Sequence, residues 1–222
     1  MATALDADGI RAGAASTGRV NLFAEHNGLF RADALLVDAV NRIDQSITLA
    51  TLADHEQVSA GDMVATIKII PLAVSAADLD SALSAIGVPD VVAMRSFSSA
   101  RVGLIATTLP SLKASVMDKT RRLLAERLSA SASTIVGEKR VEHTAPAVAA
   151  ALAEFGDSCD LIVVFGASAS VDDQDVLPAG IVAAGGAVEQ VGMPVDPGTR
   201  LVRGRGGAVR VFGAGGGARG GG

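Results

Sequence analysis

Leu161-Ile162-Val163-Val164-Phe165-Gly166-Ala167-Ser168-Ala169-Ser170-Val171-Asp172-Asp173-Gln174-Asp175-Val176-Leu177-Pro178 decides the fold. Five consecutive apolar residues without alternation describe a strand covered on both faces, the pattern of a parallel sheet. A run of small residues then breaks the strand. A helix opens near Asp175 with Pro178 in its first turn, where the missing N–H costs nothing.

The same grammar holds on either side. Upstream, Val102-Gly103-Leu104-Ile105-Ala106 is a second fully apolar strand, followed by a helix from about Ser115 to Leu128, a strand Thr134–Val136 and a helix Pro146–Phe155. Downstream, a helix near Val176–Ala184 closes at Gly185-Gly186, and strands follow at Ala187–Val191 and Ala208–Phe212. Strand and helix alternating in this way predict right-handed βαβ units in an α/β fold, a three-layer αβα sandwich with a mostly parallel sheet, over residues 101–212. Residues 213–222 are expected to form a flexible Gly-rich tail, and a longer chain could have been cut there.

The first half of the chain reads differently. Residues 1–16 show no sustained period and are expected to be a flexible lead-in, with order beginning at Gly18. Residues 17–95 are expected to form a small α+β module. Arg19–Phe23 alternates as a half-buried strand, and Leu29-Phe30 follows a turn at Asn27-Gly28, so the two read as a hairpin. A helix over Ala32–Ile43 places Leu35, Leu36, Val40 and Ile43 on one face. Strands Ile47–Leu52 and Met63–Ile70 follow, the second closed by Pro71, then a helix over residues 75–86 with Ser75 as N-cap.

Composition excludes several function classes. Apolar residues make up 49% of the 222 and charged residues 19%, which suits a folded chain with a real core. Aromatics are only 3%, with neither Trp nor Tyr, so the core is built from Ala, Val, Leu and Ile and base-stacking platforms are excluded. A net charge of −5 offers no basic surface for nucleic acid. Arg200, Arg203, Arg205, Arg210 and Arg219 cluster among glycines, as either a solvated tail or a phosphate patch. Cys159 has no internal partner and reads as a buried, reduced thiol. The N-terminus lacks signal-peptide order, and no apolar run nears the ~20 residues of a membrane span, so the expected location is cytoplasmic, with no membrane partner.

The loop from Gly166 to Asp175 suits an anion. Small side chains let backbone N–H groups approach a phosphate, Ser168 and Ser170 add hydroxyls, and the positive end of the following helix faces the ligand. Asp172, Asp173 and Asp175 would repel a bare phosphate, and a Mg2+ ion bridging carboxylate and phosphate oxygens would compensate. Asp175 as a helix cap is the alternative. Gly166-Ala167-Ser168-Ala169-Ser170 also approaches the Gly-x-Ser-x-Gly nucleophile elbow, but His26, His55 and His143 all precede Ser168, against the chain order of that hydrolase class. Gly213–Ala218 fits a dinucleotide fingerprint formally, yet no helix can follow it. The three histidines share no metal-ligand spacing and read as ordinary surface or partly buried residues. Lys68, inside an apolar strand, needs the solvent face or a partner.

Taken as an ordered set, Arg101–Thr199 resembles the molybdopterin-binding domain shared by molybdopterin adenylyltransferases and molybdopterin molybdotransferases. The residues that carry the resemblance are Ala106-Thr107-Thr108 ending the first strand, Asp118 in the first helix, the strand Asp160–Phe165 with its small-residue loop, Asp175-Val176-Leu177-Pro178, and the turn Met193-Pro194-Val195-Asp196-Pro197-Gly198. The chain departs from that family at Ala167, where relatives usually carry a second Gly, and at Thr199, where many carry Lys.

The resemblance implies that Ser168 and its neighbours Gly166, Ala167, Ala169 and Ser170 hold the terminal phosphate of the pterin, with Thr107, Asp172, Pro197 and Gly198 also contacting the cofactor. It further implies that Asp118 and Asp175 are the catalytic carboxylates and that Asp172 and Asp175 would ligate Mg2+. Thr17–Val74 resembles the region preceding this domain in a bacterial group of molybdopterin-binding proteins, in which a nucleotidyltransferase-like domain often comes next. A fused or separate nucleotidyltransferase and self-association are therefore implied partners. Three functions stay open at this point: binding of molybdopterin or its nucleotide or molybdate form during molybdenum cofactor biosynthesis, Mg-dependent adenylyl or molybdenum transfer to it, and a non-catalytic α/β scaffold with an incidental anion site.

Overall fold

The computed structural model describes residues 7–71, 73–86, 91–168, 175–192, 201–206 and 209–214. The chain divides into two compact units, Met1–Phe97 and Ser98–Gly222.

The first unit contains β1 (Ile10–Ala12), β2 (Arg19–Ala24), β3 (Gly28–Ala32), α1 (Ala34–Asn41), β4 (Ile47–Thr51), β5 (Gln57–Val58), β6 (Met63–Ile69), α2 (Ala76–Ile86) and β7 (Val92–Ser96). Its strands form two antiparallel sheets, β1-β2-β6-β4 and β5-β3-β7. Phe30, Leu22, Val40, Leu49 and Val64 fill the core, each 1% exposed or less. Asp33 caps α1 by accepting from the Leu35 and Leu36 amides.

Four readings of this half need correction. The expected hairpin does not form: β2 pairs with β1 and β6, while β3 pairs with β5 and β7 in the other sheet. Gly28 was read as a turn residue, but it lies in β3, where a Cβ would stand 2.4 Å from the Arg95 carbonyl oxygen; its small size serves strand approach. Strand β1 lies inside the segment read as a flexible lead-in, and three residues are too few to show a period. Leu35 was placed on the apolar face of α1, yet it is 81% exposed.

The second unit contains β8 (Arg101–Thr108), α3 (Ala114–Ser129), β9 (Thr134–Glu142), α4 (Ala145–Phe155), β10 (Leu161–Phe165), α5 (Val176–Ala183), β11 (Ala187–Val191), β12 (Leu201–Gly206) and β13 (Val209–Ala214). They build a mixed α/β unit around a six-stranded sheet, β11-β12-β13-β10-β8-β9. The pairs β9–β8, β8–β10 and β10–β13 are parallel; β12 runs antiparallel to both of its neighbours. The apolar run of β8 is buried on successive positions because strand alternation sends Leu104 to one cluster and Ile105 to another. Leu104 packs with Leu124 of α3, Phe165 and Ala214. Ile105 packs with Val148 and Leu152 of α4, Leu177 and Ile181 of α5, and Ile162, Val164 and Val211.

Strand β9 is three times longer than expected. Its second half, Gly137-Glu138-Lys139-Arg140-Val141-Glu142, is polar because β9 is an edge strand with little burial. Gly137 is required there, since a Cβ would lie 2.8 Å from the Phe155 ring. In its described part the arginine-rich segment is strand and not a solvated tail. Arg203 and Arg205 stand on β12 and both pair with Glu189 of β11, at 2.9 and 2.7 Å, while Val202 of β12 is fully buried. Arg200 and Arg219 lie outside the described residues. Strand β13 runs on through Gly213 and Ala214, two residues into the segment read as a tail. Cys159 is buried, and that burial pushes its thiol above the usual range. No helix among the described residues is long and apolar enough to cross a membrane.

Candidate functional site

The carboxyl ends of β8, β9 and β10 converge, as expected for the ligand-binding edge of a parallel sheet. Each delivers one polar side chain. Thr107, next to last in β8, is 0% exposed. Its Oγ1 accepts from the Ala167 amide at 2.6 Å, donates to the Phe165 carbonyl at 3.3 Å, and stands 2.9 Å from Nδ1 of His143. His143 is the first residue after β9, held by a bond from its amide to the Thr108 carbonyl. Its Nε2 lies 2.8 Å from Oγ of Ser168, three residues past the end of β10. Thr107, His143 and Ser168 thus form one hydrogen-bonded chain across three strands.

Two helices begin at the same edge. α4 opens directly after His143, with Thr144 as N-cap accepting from the Ala147 amide at 3.4 Å. α5 opens after Asp175, which occupies the N-cap position in extended conformation without a side-chain cap bond. Capping therefore does not explain the Asp175 carboxylate. The two helices pack closely through Gly180, where a Cβ would meet Val148 Cγ1 at 2.7 Å. Their amino-terminal N–H groups add positive potential at the mouth of the site. Beside the relay, a cleft of about 400 Å3 is lined by Thr108, Leu109, Pro110, Glu142, His143 and Thr144.

The structure brings together Thr107, Gly166, Ala167 and Ser168 from the set expected to contact the cofactor. The Gly166 amide donates to the Ala214 carbonyl, and a Cβ there would press on the Ser168 carbonyl at 3.0 Å. Asp118 stands apart from this group. It lies on α3 and accepts from Arg140 of β9 at 2.5 Å, while Arg140 also bonds Glu138 at 2.6 Å and Arg121 reaches Glu138 at 3.1 Å. The bond to Asp118, then that to Glu138, holds the Arg140 guanidinium firmly protonated. Ala169, Ser170, Asp172, Pro197 and Gly198 lie outside the described residues. So does one half of the expected Mg2+ pair, and no group of three or more His, Cys, Asp or Glu among the described residues is placed to hold a metal ion.

Sequence reasoning missed His143. The apolar run that predicts β9 stops at Val136, seven residues short of it, and by itself a histidine outside a predicted element carries no signal of a site. A strand extended to Glu142 puts an imidazole just past the carboxyl end of a parallel strand, on the same face as Val141, the residue opposite Thr107.

No family model matches the sequence, and no curated protein matches it. Solved structures do. A protein titled molybdenum cofactor biosynthesis protein B aligns with a TM-score of 0.42 and 16% identity over 56% of this chain and 86% of its own. The molybdopterin biosynthesis MoeA protein from Pyrococcus horikosii aligns at 0.39 and 15% over 96% of this chain and 73% of its own. A structure titled as an anomalous substructure of MogA aligns at 0.32 and 17% over 52% of this chain and 83% of its own.

Proposed function

We propose that this chain binds molybdopterin, or a nucleotide- or molybdate-bearing form of it, during molybdenum cofactor biosynthesis, with the terminal phosphate at the edge formed by β8, β9 and β10. One observation carries the oxyanion part: Thr107, His143 and Ser168 meet in a connected chain beside the amino termini of α4 and α5. Hydroxyl, imidazole and helix-terminal amides together suit a phosphate. The pterin is named by the ordered resemblance of Arg101–Thr199, whose expected cofactor-contacting residues include Thr107, Gly166, Ala167 and Ser168. The same reading places helices on both faces of the sheet in three layers, supported by the separate packing of α3 on Leu104 and of α4 and α5 on Ile105.

Binding is the function that this arrangement supports best. Asp118 is held by Arg140, and Asp172, one of the two residues expected to hold Mg2+, lies outside the described residues, so no chemical step is derived through a metal. Equilibrium titration of the purified protein with molybdopterin, for wild type, Ser168→Ala and Asp175→Ala, tests the proposal. Wild type is expected to bind and Ser168→Ala to bind about 10- to 150-fold more weakly, the loss of one charge-assisted hydrogen bond of about 1.5–3 kcal/mol. Equal, negligible binding by all three proteins rejects it. Incubation of the complex with MgATP, followed by mass spectrometry of the pterin, separates binding from adenylyl transfer: an adenylylated product would assign catalysis to this chain.

A further inference from the structure

The sheet β1-β2-β6-β4 buries one face in the core of the first unit, through Ile10, Leu22, Leu49 and Ile67. Alternation sends the residues between them to the other face. Register sets three cations there. Arg19 of β2 stands directly opposite Lys68 of β6, and Lys68 stands opposite Thr48 of β4. Arg11 of β1 lies opposite Phe23 of β2, with its guanidinium 5.3 Å from the ring centroid. One row on from Arg19, the Asn21 side-chain oxygen accepts from the Thr66 hydroxyl at 2.8 Å, which engages the acceptor end of that amide.

No Asp or Glu occurs in any of the four strands. The unit is not short of them. Residues 1–97 hold twelve carboxylates against six Lys and Arg. Away from this sheet, Arg31 pairs with Asp54 and Arg42 with Asp38. Among the described residues Arg11, Arg19 and Lys68 make no ion pair. Like charges directly opposite in an antiparallel pair are destabilising, and an acidic residue at either position would turn repulsion into attraction. A unit rich in acid therefore keeps a cation-only face at a cost to its own stability, as surfaces that serve a partner do.

Charge and shape choose the occupant. An open sheet face offers area rather than the concave pocket that a small anion needs. It is also partly apolar: Phe23 is half-buried, Met63 opposite it is 50% exposed, and Ile70, which continues the alternation of β6, is 73% exposed. Arginine, methionine and phenylalanine without carboxylates make up the centres of protein–protein contacts. A symmetric contact between two copies would set Arg19 and Lys68 against their own equivalents. Three cations hold an anionic membrane weakly, and the face has no open aromatic ring on which a base could stack.

We propose that the outer face of β1-β2-β6-β4 docks an acidic segment of a partner protein, whose carboxylates meet Arg11, Arg19 and Lys68 and whose apolar side chains cover Phe23, Met63 and Ile70. This surface belongs to the first unit and is independent of the pterin reading.

The probe is a synthetic peptide rich in Glu and Leu, with a twin in which Gln replaces every Glu. Nitrogen-15 NMR of the full chain titrated with the acidic peptide is expected to shift amides of β2, β6 and β4, with affinity falling at least about threefold when salt rises from about 50 to 200 mM. The Gln twin should leave those amides unmoved. Lys68→Glu separates docking from a structural role, because its two effects have opposite sign. Peptide binding should weaken about tenfold or more, while the melting point of the first unit rises by about 2–6 °C as Arg19 gains an opposite charge. Arg42→Glu makes the same change of charge on α1 and should keep peptide binding. No peptide binding, binding unaffected by Lys68→Glu, shifts confined to other elements, or a melting point lowered by Lys68→Glu would each overturn the proposal. So would phosphatidylserine vesicles or single-stranded DNA shifting these amides where the peptide does not, which would give the face to a lipid or a nucleic acid. Self-association of the chain abolished by Lys68→Glu would overturn it too, by giving the face to a second copy.

Discussion

Replacing Thr107 by Val removes one hydroxyl and leaves the shape of the side chain nearly unchanged, so its cost reports hydrogen bonding rather than packing. Thr107 is 0% exposed, and water cannot take over the partners of its hydroxyl. The Ala167 amide at 2.6 Å and His143 Nδ1 at 2.9 Å are left facing a methyl group. An unsatisfied buried polar group costs about 1–3 kcal/mol, and both groups belong to half-buried residues that can partly relax, so the expected loss is about 2–3 kcal/mol. For a unit of about 120 residues this corresponds to a melting point lower by about 6–12 °C. The chain has no Trp or Tyr, so the measurement is differential scanning calorimetry or far-ultraviolet circular dichroism, with attention to the Ser98–Gly222 transition. Thr107→Ser keeps the hydroxyl and loses one buried methyl, about 1 kcal/mol. A Val variant within 0.5 kcal/mol of wild type (roughly the scatter of a surface substitution), or a Ser variant as damaged as the Val one, would refute the role given to this hydroxyl.

Gly137→Ala should destabilise the second unit by about 1–3 kcal/mol, because the new Cβ stands 2.8 Å from the Phe155 ring and overpacked cores lose that much; chemical denaturation followed by circular dichroism checks it. Gly180→Ala places its methyl 2.7 Å from Val148 Cγ1 and should separate α4 from α5, weakening pterin binding as well as lowering the melting point. Hydrogen exchange at the start of both helices reads that separation. The pH profile is expected to carry an acid limb from Asp160, whose carboxyl is held below its usual value first by the side-chain bond from Arg101 and then by the Arg101 amide. A carboxyl with a lowered folded pKa contributes its stability above the unfolded value of about 3.9 and loses it as pH falls through the folded one. Asp160→Asn should therefore flatten the stability curve below about pH 4 and leave its shape above pH 5 unchanged.

Burial decided which parts of the fold were legible. β8 and β10 are covered on both faces, so their unbroken apolar runs announced a parallel sheet. β9, β12 and β7 were missed or shortened because edge and partner strands carry their pairing in backbone groups, which leave little trace in side-chain pattern. The alternation of Val202 and Gly204 with Arg203 and Arg205 is a strand signal, but the surrounding glycines hid it. The candidate site was legible where it lies in a single loop and illegible where it is assembled. Gly166, Ala167 and Ser168 are contiguous and drew attention as a phosphate loop. His143 stands 25 residues before Ser168 and 36 after Thr107, and nothing in one sequence ties it to either.

Connectivity explains why those three residues meet at all. The crossover through α3 carries the chain from β8 to one neighbour, β9, and the crossover through α4 carries it back past β8 to the other, β10. Three parallel carboxyl ends are thereby set side by side with β8 in the middle. Register completes the placement. Thr107 is opposite Val141, and His143, two residues further on, continues the same face of β9, as strand periodicity requires. Phe165 is opposite Ala106, so the chain leaving β10 passes directly over Thr107, where the Ala167 amide finds its hydroxyl. A one-residue slip of β9 against β8 would turn His143 to the α3 face and bring Glu142 over Thr107, replacing the imidazole that bonds Ser168 with a carboxylate that repels an oxyanion. The bulge between Val102 and Gly103 shifts the register by that one residue, and it therefore selects the imidazole as the group that meets Ser168.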